Sequence, residues 1–148
     1  MLNFKEEIML FFVMFMISLS VDPMNIMVYS IQDIYLSKSL IISSIYMAST
    51  MMWAHQIVHY LSYGHLKKYV FITWIGISLI FFYVMRSQIF IKPKDWLYEM
   101  IPHHSTAITT TTQLLKNNQI NTNSPVYKLA TQILNTQKDE ITLMKSLL

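Results

Sequence analysis

Residues 96–104 read WLYEMIPHH, and the architecture of the chain can be worked outward from them. Met100 is followed three and four positions later by His103 and His104, a spacing that puts side chains on one helical face. Neutral imidazole nitrogen is a common metal donor, and a thioether is a soft one. The same histidine pair would serve equally well as a partly exposed, hydrogen-bonded feature of a helix. Neighbouring residues must choose between these readings.

Around the stretch, Leu97, Met100, Ile101, Ala107, Ile108, Leu114 and Leu115 recur with helical period. His104 falls in this stripe and His103 lies on its flank. Asp95 is the expected N-cap, after a linker of Lys92-Pro93-Lys94. Pro102 removes the hydrogen bond to the Tyr98 carbonyl, which predicts a kink directly before the histidines. The threonines at 109–112 are poor helix formers and carry no chemistry of their own. Residues 116–123 (KNNQINTN) form a polar loop. Ser124-Pro125 then pairs an N-cap with proline at the first helical position. The last helix, to about Leu147, has an apolar stripe of Val126, Leu129, Ala130, Ile133, Leu134, Ile141, Met144 and Leu148, interrupted by Gln137 and Glu140. Polar groups in a packing seam need partners, and this seam is expected to face the helix of Met100, His103 and His104.

Toward the amino terminus the chain changes character. Residues 8–29 are apolar except around Asp22-Pro23 and are read as a first membrane span with a proline-centred kink. Ser18-Leu19-Ser20 would also suit signal-peptide cleavage, but Glu6 and Glu7 precede the apolar run where a signal carries positive charge. As part of an uncleaved span, Asp22 would lie at membrane depth facing protein or water. Residues 40–60 and 69–85 give a second and third span, the former with serines, Ala48 and Thr50 suited to close helix packing. His55 and His59, four apart near the end of the second span, are a possible secondary metal site, or interfacial residues at headgroup level. The division is therefore a membrane region at 1–90 and a helical hairpin at 91–148. The short basic loop at Lys67-Lys68 leans toward a cytoplasmic amino terminus, which puts the hairpin on the outer side.

Composition agrees with an all-α membrane protein. Of 148 residues 53% are hydrophobic and only 13% charged, and two glycines are too few for a hairpin-rich β fold. With no cysteine, disulfides, thiolate nucleophiles and thiolate metal sites are excluded. The net charge of +3 is scattered, which argues against nucleic acid as a partner.

Met100-Ile101-Pro102-His103-His104 with Ala107-Ile108, followed by Leu129-Ala130, Ile133, Gln137, Glu140-Ile141 and Met144, resembles the domain-of-unknown-function family numbered 305. The resemblance covers residues 95–148, and Arg86-Ser87-Gln88 after three spans looks like its membrane-bound branch. Some members are described as copper-binding, with a ferritin-like helical architecture. The resemblance implies Met100, His103, His104 and Met144 as copper ligands, with Gln137 and Glu140 as nearby polar partners. Many soluble members have a methionine where this chain has Thr110, so one thioether is missing here. Methionine and histidine without thiolate favour cuprous copper over zinc or magnesium. Glu140 is suited to accept a hydrogen bond from a ligand imidazole.

The resulting expectation is a bacterial inner-membrane protein with a periplasmic hairpin that stores, buffers or hands over copper. Two copies would close a four-helix bundle, and the metal-exchange partner is left unnamed. The alternative is an interaction module whose hairpin oligomerises without metal. An enzyme is not favoured. No nucleophile–base pair stands out, and a di-iron carboxylate site needs more glutamates than Glu99 and Glu140.

Overall fold

The computed structural model describes residues 3–117 and 120–148. Among these are five long helices and one short one, with no strand: α1 (Phe4–Ser20), α2 (Pro23–Ile26), α3 (Lys38–Tyr63), α4 (Lys68–Ser87), α5 (Pro93–Lys116) and α6 (Pro125–Ser146), with a 3-10 turn at Ile31–Asp33. The all-α expectation is met. Of the polar loop read at 116–123, Asn118 and Gln119 lie outside the described residues.

The chain divides into two compact units, and the division is not a single cut. One unit comprises residues 1–21 and 38–91; the other comprises 22–37 together with 92–148. The sequence predicts a first span over residues 8–29 with a proline-centred kink and assigns 22–37 to the membrane region. The structure ends α1 at Ser20 instead. Asp22 is not a lone ionisable group in a continuing helix, since its carboxylate accepts the Asn25 N–H at 3.0 Å and caps α2. Pro23 favours this restart, because its missing N–H and fixed φ suit a first helical position.

In the first unit α3 packs against both α1 and α4. Its buried residues include Ser44, Ala48, Met52 and Gln56, spaced by four, and small side chains among them let helix backbones approach closely. Phe11 of α1 stacks on Trp74 of α4 with ring centroids 4.9 Å apart. Asn3 and Glu6 form a reciprocal capping box at the start of α1. One turn on, the buried Glu7 carboxylate meets Lys67 at 2.9 Å. Among the described residues two stretches, Phe4–Ile26 and Lys68–Ser87, are long and apolar enough to cross a membrane. α3 is longer, at 26 residues, but serine, threonine, histidine and glutamine dilute its hydrophobicity.

In the second unit α5 and α6 form the expected hairpin. α5 starts three residues earlier than an N-cap at Asp95 implies, because Pro93 takes the first helical position. Asp95 sits inside the first turn, where its carboxylate accepts the Lys92 N–H at 3.1 Å. The helix runs through Pro102, itself buried, and through the threonine run. There the hydroxyls of Thr109 and Thr110 donate back to the carbonyls of Ser105 and Thr106. Ser124 caps α6 by accepting the Tyr127 N–H at 3.1 Å, with Pro125 behind it as read from sequence. Leu97, Ile101 and Ile108 of α5 form one buried cluster with Ile141 and Met144 of α6, and Tyr35, Met100 and Leu134 pack against it. Ile101 is fully buried, and such a side chain contributes about 1.5–3 kcal/mol by removal from water.

Residues 22–37 lie along α5 as a strap. Asn25 brackets Tyr35, donating to its carbonyl at 3.2 Å and accepting its N–H at 3.4 Å. The Tyr35 ring then stacks on Tyr98, centroids 5.1 Å apart.

Candidate functional site

The residues singled out on α5 and α6 occupy different environments. Met144 is in the hydrophobic cluster, and Met100 packs against that cluster half-buried. The two thioether side chains therefore share one apolar region across the helix seam. His104 is half-buried. Its Nδ1 lies 2.9 Å from Oε2 of Glu140, so the structure brings this histidine and this carboxylate together across the seam. Both atoms are shielded from solvent, yet neither makes an aligned hydrogen bond. Buried polar atoms are rarely left in that condition. His103 points the other way and is exposed, its ring 6.0 Å from that of His104 and steeply inclined to it. Adjacent helical residues diverge by about 100°, which is why the pair does not present both imidazoles to one point. Gln137 is half-buried on α6.

Among the described residues no three or more histidine or acidic side chains converge as a metal-binding group.

His55 and His59 lie on α3 in the other unit, with ring centroids 6.5 Å apart. That unit is distinct from the one that contains α5.

A polar cluster on α5 escaped sequence reading. Ser105, next to His104 and fully buried, donates its hydroxyl to the buried carboxylate of Asp33 and accepts the Tyr29 N–H at 2.8 Å. Asp33 also pairs with Lys145 of α6. The next residue, Thr106, donates to the Met24 carbonyl at 2.8 Å. These bonds fix the strap to the helix that carries the histidines. The only sequence signal was a charged residue in a polar interruption, and nothing local tied Asp33 to residues beyond position 100.

Residues 92–148 match the family described as domain of unknown function (DUF305). The chain is also similar to Uncharacterized protein L153 of Acanthamoeba polyphaga mimivirus, 35% identical over 131 residues that make up 86% of this chain and 81% of that protein. No solved structure matches it.

Proposed function

Taking as premise that this chain belongs to the DUF305 family, whose domain occupies residues 92–148, we propose that it is a membrane-anchored protein that binds cuprous copper for buffering, storage or handover. The observation that carries this reading is the α5–α6 seam. Met100 and Met144 meet in one apolar cluster there, and His104 and Glu140 face each other 2.9 Å apart without an aligned hydrogen bond. The donor set fits a soft ion: thioether and imidazole suit cuprous copper, whereas magnesium or a di-iron centre needs several carboxylates. Met100, Met144 and an imidazole of the His103/His104 pair would hold the ion, which is the protein's cargo. Glu140 would accept from the ligand imidazole and hold its orientation. Gln137 would stand beside them as a further polar group.

The strap supports a membrane setting with three spans. Residues 22–37 and 92–148 form one compact unit, so the end of α1, the start of α3 and the end of α4 would open on the same side of a bilayer. If α4 crosses, then its start and the short Gly64–Lys67 turn lie on the opposite side. α3 must then cross as well, whatever its hydropathy. Its length suffices, since 26 residues rise about 39 Å. The Glu7–Lys67 ion pair fits this arrangement by joining the start of α1 to that turn. We place the hairpin on the extracytoplasmic face, as at a bacterial inner membrane. Trp96, Val126, Leu129 and Leu143 remain exposed on the hairpin, a surface on which a second copy would complete a four-helix bundle.

A second reading, an interaction module without metal, draws on the burial of Met144 in the core and on there being, among the described residues, no converging group of three histidine or acidic side chains. Competition titration of the full-length protein in detergent against a cuprous chelator separates the two. The copper reading expects one tightly bound equivalent at the seam, which is lost when His103 and His104 are both replaced by alanine. An equal number of tightly bound equivalents in parent and variant would overturn the seam as the site.

A further inference from the structure

On α3, Met51, His55 and His59 follow one another at intervals of four and so lie along one ridge of the helix. The two imidazoles are differently prepared. Nδ1 of His59 is 3.1 Å from the carbonyl oxygen of His65. A carbonyl can only accept, so Nδ1 carries the hydrogen, and in the neutral ring the lone pair is on Nε2. That is the arrangement by which a backbone acceptor orients a metal-binding histidine. His55 Nδ1 is shielded from solvent and has no hydrogen-bond partner, a state that buried polar atoms rarely keep without a ligand. The ring centroids stand 6.5 Å apart. Metal–nitrogen bonds of about 2 Å on either side hold two ring centroids at most ~6.4 Å apart, so a bound ion would draw the two rings slightly together.

We propose that His55 and His59, with Met51 one turn before them, form a second cuprous site. It uses none of the hairpin's residues and stands independently of the α5–α6 reading. The chemistry selects the ion. α3 contains no aspartate or glutamate and the chain no cysteine. Glu7 of α1 is engaged by Lys67, and among the described residues no carboxylate joins His55 and His59 in a metal-binding group, so a divalent ion here would lack an anionic ligand to offset its desolvation. A monovalent soft ion held by two neutral imidazoles and a thioether carries half that charge and prefers these donors. The site lies in the last turns of α3, at the far end of that helix from the strap.

The experiment uses the full-length protein in nanodiscs under anaerobic, reducing conditions, with cuprous ion and bicinchoninate as competitor. The parent is expected to bind two equivalents. The His103→Ala/His104→Ala variant keeps one, with a nitrogen-dominated, low-coordinate X-ray absorption spectrum. Adding His55→Gln and His59→Gln, which keep a polar side chain of similar reach, takes the count to zero. Met51→Leu lowers affinity about tenfold without changing the count. In the parent, cuprous ion also protects His55 and His59 from carbethoxylation, read by mass spectrometry. A hairpin variant that binds no copper, a retained equivalent that survives His55→Gln/His59→Gln, or unprotected His55 and His59 would each overturn the site. Tighter binding of zinc than of cuprous ion by the hairpin variant would overturn the assignment of the ion.

Discussion

Ser105 donates its hydroxyl to Asp33, a residue 72 positions earlier in the chain, at a point where both side chains are buried. The same oxygen accepts the Tyr29 N–H, so one hydroxyl on the histidine helix holds the strap at two places. The strap is thereby part of the domain that carries the candidate copper ligands.

Ser105→Ala is expected to destabilise this unit by about 1–3 kcal/mol, because it leaves a buried carboxylate short of a donor and the Tyr29 amide without its acceptor. Hydrogen exchange checks it. The Tyr29 and Asp33 amides should exchange faster while those of α3 and α4 keep the parental rate. Unchanged protection at Tyr29 would remove the hydroxyl from its assigned role.

Asp33→Ala should be more damaging than Lys145→Ala. The aspartate is the buried member of the pair and serves two donors, whereas the lysine is about a third exposed and can turn to water. A double-mutant cycle on denaturation midpoints should give a coupling of about 1–2 kcal/mol, the range for charge-assisted contacts that are partly solvated. Strictly additive effects would mean that the two groups do not interact in solution.

Ile101→Ala removes a fully buried side chain from the centre of the α5–α6 cluster, which typically destabilises by about 2–5 kcal/mol. Leu143→Ala, at an exposed position on α6, should change the midpoint by less than about 1 kcal/mol in a monomer. A large loss at Leu143 that varies with protein concentration would instead reveal self-association through this face.

The three-span arrangement is checked by single cysteines in sealed vesicles. Ile31→Cys in the strap and Ser124→Cys before α6 should label from the same side with a membrane-impermeant maleimide. His65→Cys, in the turn between α3 and α4, should label only from the other side. Labelling of all three from one side would mean that α3 and α4 do not cross.

At the seam, Met100→Leu should preserve the packing, because the volumes are close, while weakening cuprous affinity more than cupric. Glu140→Gln should have the smaller effect, since it removes only the charge behind the imidazole. Chelator competition in both oxidation states reads the difference. Equal loss of cuprous and cupric affinity in Met100→Leu would take the thioether out of the ligand set.

Much of the hairpin was legible from local pattern. Helical periodicity placed Leu97, Ile101, Ile108, Ile141 and Met144 on facing stripes, and Ser124-Pro125 marked the start of α6, because capping and amphipathicity are encoded within a few residues. The Asp95 cap was displaced to Lys92 because Pro93 competes for the first helical position, a local contest that residue preferences rank but do not decide. Two outcomes lay beyond local pattern. Glu140 was visible as a polar interruption, but only the packing of α5 on α6 set it against His104 and left His103 in solvent. Residues 22–37 read as the tail of an apolar span and a polar interruption. Their docking on α5 depends on Asp33, Ser105 and Lys145 meeting in three dimensions. Side chains so far apart in sequence share no local signal, since their pairing becomes favourable only once the helices between them have packed and excluded water.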